Sequence, residues 1–338
     1  MNKNTERYLN NFDFLRIIFT VCIVYHHLFN YYNKSNMGGA SVEFFFILSG
    51  FFLTYTIEQQ KNLEVFIVKK IIKFWPLICF SSICLIFGDK SMTYEKFLAP
   101  LFFLPATGIF DSFSSAPNSA WYICVLIWVS MFYFYIIKNC NPVFTKICIA
   151  ILTFYNYVIC VKYDWGIYDT IGELKIFTIG MARGIAGMGC GYFIAALYNK
   201  HRQSLNTSKK TYLKYTVSEI FLIAYILISM FGFNALDNRI FLVIAFIALI
   251  WLFLIKKGTI SCYFEKNPYK DISQYCLAIF LTHGVIIFYS KKYMSTCTES
   301  DALQMSIIFF TSVLFGVLVR HFIEKPTTKY LQSKIFKL

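Results

Sequence analysis

The chain has 338 residues, 57% of them hydrophobic and 15% charged, with a formal net charge of +14. Soluble domains run at about 45–50% apolar and about 25% charged, so a disordered chain and a small disulfide scaffold are excluded. Long apolar runs also differ from the alternating strands of an outer-membrane barrel, which leaves an all-α polytopic membrane protein.

A span needs about 20 mostly apolar residues, and ten segments are predicted: 12–30, 42–57, 74–88, 120–137, 143–161, 176–198, 217–233, 239–255, 272–290 and 303–323. The first carries Asp13, Arg16, His26 and His27. At about 100° per residue, His27 returns to within roughly 20° of Arg16, about 16 Å further along the axis. Asp13, Arg16 and His27 therefore share a polar stripe. Ionisable groups within spans cost about 2.5–3.5 kcal/mol each and mark candidate functional sites. The second span opens with Glu43, a carboxylate able to orient a histidine on a neighbouring helix, and continues to Ser49-Gly50. Lys70 and Lys73 precede the short third span; as i,i+3 neighbours they suit either a phosphate-bearing ligand or an ordinary basic flank. Trp121 and Tyr122 start the fourth span. The sixth holds Arg183 among Gly180, Gly184, Gly187 and Gly191, whose spacing predicts a helix-packing seam. His283 lies in the ninth span, and Arg320 and Glu324, an i,i+4 pair, close the tenth.

Loops on one side, with both termini, carry 21 Lys and Arg, against 8 on the other. By the positive-inside rule both termini are cytoplasmic, and the basic charge is a topology signal rather than a nucleic-acid footprint. The eleven Cys include no CxxC pair, so no metal site is expected. Asp13 and Arg16 interrupt the first apolar run, so no cleavable signal peptide is expected. No polar linker or internal repeat divides the chain, and 1–338 reads as one domain.

Taken in order, these segments resemble the acyltransferase-3 family, integral-membrane enzymes that O-acylate bacterial surface polysaccharides, with matching segments over 12–331. Arg16 and His27 fill its opening motif, with Asp13 ahead of the Arg. Phe45-Phe46-Ile47-Leu48-Ser49-Gly50-Phe51 is similar to its Phe-Phe-x-x-Ser-Gly-Phe stretch, and Lys70-Ile71-Ile72-Lys73 to its Arg-x-x-Arg motif. Leu281-Thr282-His283 and Phe322-Ile323-Glu324-Lys325-Pro326 resemble its last two helices. Three positions depart from the pattern: Lys70 and Lys73 replace both Arg, which loses bidentate phosphate geometry, and Leu126 stands where many members carry Glu. No extracellular esterase-like domain is expected in this chain.

The resemblance implies transfer of an acetyl group from cytoplasmic acetyl-CoA to a carbohydrate hydroxyl in the bacterial inner membrane. His27, Arg16 and Glu43 are the expected catalytic residues. Arg16, Lys70 and Lys73 are expected to hold the donor, with Asp13, Ser49, Trp121, Tyr122, Arg183, His283 and Glu324 in support. Acetyl-CoA is a substrate, and no tightly bound cofactor is expected. The acceptor sugar and the oligomeric state are not legible. The alternatives are a transporter or flippase for a lipid-linked sugar or other anion, which the lack of paired broken helices disfavours, and a non-catalytic assembly or sensor subunit.

Overall fold

The structure, a computed structural model, describes residues 9–60, 62–88, 93–108, 119–167, 169, 177–205, 211–232, 239–267, 269–294 and 300–336, the side chains of 202–205 excepted. Among these residues every regular element is helical. Eight helices are long and apolar enough to cross a membrane, and a pair bent by 60° makes a ninth if taken as one span.

Each span read from the sequence overlaps a helix, residues 176 and 233 of the sixth and seventh lying outside the described residues: α1 (Asn11–Tyr31), α2 (Ser41–Gln59), α3 (Leu63–Ile86), α5 (Ala120–Asn139), α6 (Pro142–Lys162), α7 (Ile179–Leu205), α8 (Leu213–Phe231), α9 (Arg239–Ile255), α12 (Cys276–Tyr293) and α13 (Asp301–Val319). Shorter helices are α4 (Tyr94–Leu101), α10 (Thr259–Lys266), α11 (Lys270–Ser273) and α14 (Lys325–Ile335). The expected count of ten is corrected at two places. Helix α3 starts at Leu63 rather than at 74, so Glu64, Lys69, Lys70 and Lys73 ride on the same helix as the apolar run. Helix α9 has 17 residues and becomes a span only with α10, beyond the bend.

Local chemistry sets several helix ends. Asn141 accepts from Val143 N at 2.9 Å with Pro142 in the first turn, starting α6. Ser300 caps α13, with Asp301 in its first turn. The buried Glu219 of α8 accepts from Ile260 N at 3.0 Å and so caps α10. That bent segment holds the start of α1: Asn11 Nδ2 donates to Phe253 O at 2.6 Å, and Phe14 stacks on Phe264.

The helix-packing seam that the glycine spacing predicts on α7 is filled by α2, which lies along it. A Cβ on Gly50 would sit 2.1 Å from Met188 O, and one on Gly191 would sit 2.0 Å from Ile47 O. The backbones are thus closer than any side chain permits. Phe12, Phe44, Phe51, Phe246 and Phe253 fill the core between α1, α2 and α9.

Two irregularities shape the site. Pro76 sits inside α3 and leaves the carbonyl of Ile72 without its helical donor. Thr328 Oγ1 of α14 donates to that carbonyl at 3.5 Å. Between α13 and α14, Arg320–Glu324 forms a π-helical turn packed against α3. Such turns recur at functional sites because they redirect side chains within a continuous helix.

Candidate active site

Five of the charged residues, Arg16, Lys73, Lys270, Arg320 and Glu324, line one cavity of about 420 Å³. Helix α1 supplies Arg16 and, one turn on, Thr20. Lys73 comes from α3, Lys270 and Ser273 from α11, and Arg320 and Glu324 from the π-helical turn. At the opposite end the lining is apolar and aromatic: Val42 and Phe45 of α2, Tyr122, Ile123 and Leu126 of α5, and Leu277 and Phe280 of α12. Ser49 and Tyr122 bring hydroxyls 3.4 Å apart between these ends.

The charged end is ordered. Arg16 donates to the buried Asp13 at 2.9 Å. Asp13 also accepts from Ser273 Oγ at 2.7 Å, which ties α1 to the break between α11 and α12. Arg320 pairs with Glu324, the i,i+4 pair read from the sequence. Lys73 makes no ion pair among the described residues, and its side chain is exposed within this lining. Four cations and one carboxylate face the same space. In a low-dielectric wall that imbalance attracts an anion far more strongly than it would in water.

His27 lies beyond the cavity wall. Its ring is 5.0 Å from that of His283 on α12, and the His283 ring is 6.1 Å from that of Phe280. His283 Nδ1 faces the carbonyl of Ile279 at 3.1 Å, so it carries the proton, and Nε2 is left with a lone pair. His26 is different: Nδ1–H donates to Asn36 Oδ1 at 2.7 Å, and Nε2 accepts from Asn30 Nδ2 at 3.2 Å. Its nitrogens thus tie the last turn of α1 and the loop that follows it. His27 makes no hydrogen bond among the described residues, so of the two adjacent histidines it is the one with nitrogens available to a ligand.

The structure separates the expected residues into three groups. Arg16, Lys73, Ser49, Tyr122 and Glu324 line the cavity. His27 and His283 stand together behind Phe280. Glu43, Arg183 and Trp121 form a third, buried unit: Arg183 Nε donates to Glu43 Oε1 at 2.5 Å, its guanidinium lies 4.9 Å from the centre of the Trp121 ring, and Nη1 reaches Trp165 O at 3.3 Å. Glu43 is therefore held by α7, where the sequence reading placed it as the orienter of His27. The polar stripe on α1 is also split: Arg16 and Thr20 reach the cavity, while His27 does not line it. Lys70 lies over the Phe66 ring at 5.1 Å and is outside the lining.

Sequence reasoning missed Lys270, Ser273, Gln274 and Phe280. The first three carry a faint signal, polar residues at helical spacing just before an apolar run. Phe280 carries none, being one of 38 Phe. No group of three His, Cys, Asp or Glu with metal-holding geometry occurs among the described residues.

Comparison with known proteins supplies a family. The acyltransferase-3 family model, described as an acyltransferase domain, matches residues 9–321. No curated protein and no solved structure matches the chain.

Proposed function

The chain belongs to the acyltransferase-3 family, a family of membrane acyltransferases, and from that membership we propose that it is an O-acetyltransferase moving an acetyl group from cytoplasmic acetyl-CoA to a carbohydrate hydroxyl. The observation that carries this reading is the polarity of the 420 Å³ cavity, basic at one end and apolar at the other. A CoA thioester has the same polarity: phosphates at one end, an uncharged pantetheine arm and acyl group at the other. Arg16, Lys73, Lys270 and Arg320 receive the phosphates, with charge-assisted hydrogen bonds from the two guanidinium groups. The basic end then faces the cytoplasm, both termini lie on that side, and the membrane is the bacterial inner membrane.

In the transfer step, His27 accepts the proton of the acceptor hydroxyl as its oxygen attacks the thioester carbonyl. The carbon–sulfur bond breaks, and the departing thiolate recovers that proton, leaving the ester and CoA thiol. General-base help of this kind contributes about 10²–10⁴ in rate. His283, with its proton held on Nδ1 by Ile279 O, packs its ring 5.0 Å from that of His27 and supports its position.

The donor assignment is tested with purified protein in detergent by titrating acetyl-CoA into wild type, Lys73→Ala and Lys70→Ala. Lys73→Ala weakens binding by about tenfold, a lost charge-assisted contact, while Lys70→Ala changes it little. Equal affinity of wild type and Lys73→Ala would contradict the placement of the phosphates.

A further inference from the structure

Resting on the reading above, we propose that Phe280 is a positioning residue that partitions the acyl-donor cavity from the His27–His283 pair, and so keeps the thioester from water until an acceptor is present. Phe280 is the described link between the two halves of the site. Its buried ring lines the cavity, 5.5 Å from the Tyr122 ring on one side and 6.1 Å from the His283 ring on the other. Neither histidine lines the cavity. The ring contacts run from Tyr122 to Phe280, His283 and His27 in turn, so Phe280 stands between the cavity and the histidine pair.

Gly284 lies one turn further along α12, on nearly the same face. A Cβ built there meets nothing within 4 Å. On this proposal, removing the phenyl ring opens the cavity toward His283 and the partly exposed Gly284 that follows it. Water then reaches the thioester next to an imidazole able to take its proton. The consequence is hydrolysis: the water oxygen bonds to the carbonyl carbon, the carbon–sulfur bond breaks, and acetate and CoA thiol are formed. A closed partition suppresses this loss, in keeping with the exclusion of water from sites that handle reactive groups.

The experiment measures release of free CoA thiol from acetyl-CoA by purified full-length protein in detergent, without carbohydrate. Wild type, Phe280→Ala, Phe280→Leu, Phe280→Tyr and the double variant Phe280→Ala/His27→Ala are compared, with acetyl-CoA binding measured for each. The expected result is slow release by wild type and Phe280→Tyr, a rise of about tenfold for Phe280→Ala, equivalent to ~1.4 kcal/mol, and a smaller rise for Phe280→Leu. The double variant returns to the wild-type rate. A merely structural role for Phe280 gives no gain of this kind. If Phe280→Ala does not fold, Phe280→Leu decides. Wild-type rates in the folded variants, with acetyl-CoA bound, would overturn the partition alone. Failure of wild type to bind acetyl-CoA would overturn the donor reading, and the partition with it.

Discussion

His26 and His27 are adjacent in sequence and opposite in chemistry. Both nitrogens of His26 are spent on Asn36 and Asn30, so its removal is a loss of structure. Each such hydrogen bond contributes about 0.5–1.5 kcal/mol. His26→Ala therefore lowers the thermal unfolding temperature in detergent and leaves acetyl transfer within an order of magnitude of wild type; loss of transfer in a folded variant would make His26 the base. Glu43 shows the limit of sequence reading at this scale. That it was a costly carboxylate at the head of an apolar helix was legible. That Arg183, 140 positions away, would hold it was not, because the pairing is made by the packing of α2 on α7. Glu43→Ala leaves a buried guanidinium without its counter-charge, a loss of about 3–5 kcal/mol. Glu43→Gln, which keeps an acceptor, loses less. Equal stability of Glu43→Ala and wild type in a thermal melt would show that the pair is not needed for the fold.

At the scale of elements, apolar length was enough to locate the helices and glycine spacing to mark α7 as carrying a packing seam; that α2 is its partner came from the structure. Gly191 approaches Ile47 O so closely that a methyl group has no room. Gly191→Ala forces the helices apart, at about 1–3 kcal/mol, and is expected to reduce the folded yield on size exclusion in detergent; an unchanged yield and melting temperature would mean that the seam opens freely. The breaks were not legible. The interruption between α11 and α12 sits where Ser273 reaches Asp13, and the Arg320–Glu324 turn leads into α14, whose Thr328 reaches the Ile72 carbonyl that Pro76 frees. Both are tertiary contacts, and both deliver cavity residues. The sequence thus reveals the scaffold better than the site, whose lining comes from where helices are interrupted.

At the scale of the whole molecule, the site reads as a gradient from four cations to a ring of apolar and aromatic side chains, with the histidine pair set behind Phe280. The gradient follows from the same bias of Lys and Arg that orients the helices, so orientation and donor side are one prediction. In right-side-out vesicles, a membrane-impermeant thiol reagent is expected to label Lys34→Cys in a cysteine-free background and to reach Lys329→Cys only after permeabilisation. The reverse pattern would put the basic cavity on the side without CoA. Leu126 lies in the cavity lining, so the departure from the family pattern noted there falls within the site itself.

The most direct measurement follows acetyl-labelled acetyl-CoA in membranes containing the wild-type chain or His27→Ala, with inserted protein quantified in both. The expected result is loss of acetyl-CoA and label in surface carbohydrate for wild type, with transfer reduced by about 10²–10⁴ in His27→Ala. Equal label in both would remove His27 from the chemistry. No label with either, in a strain competent to supply the acceptor, would contradict acetyl transfer to carbohydrate.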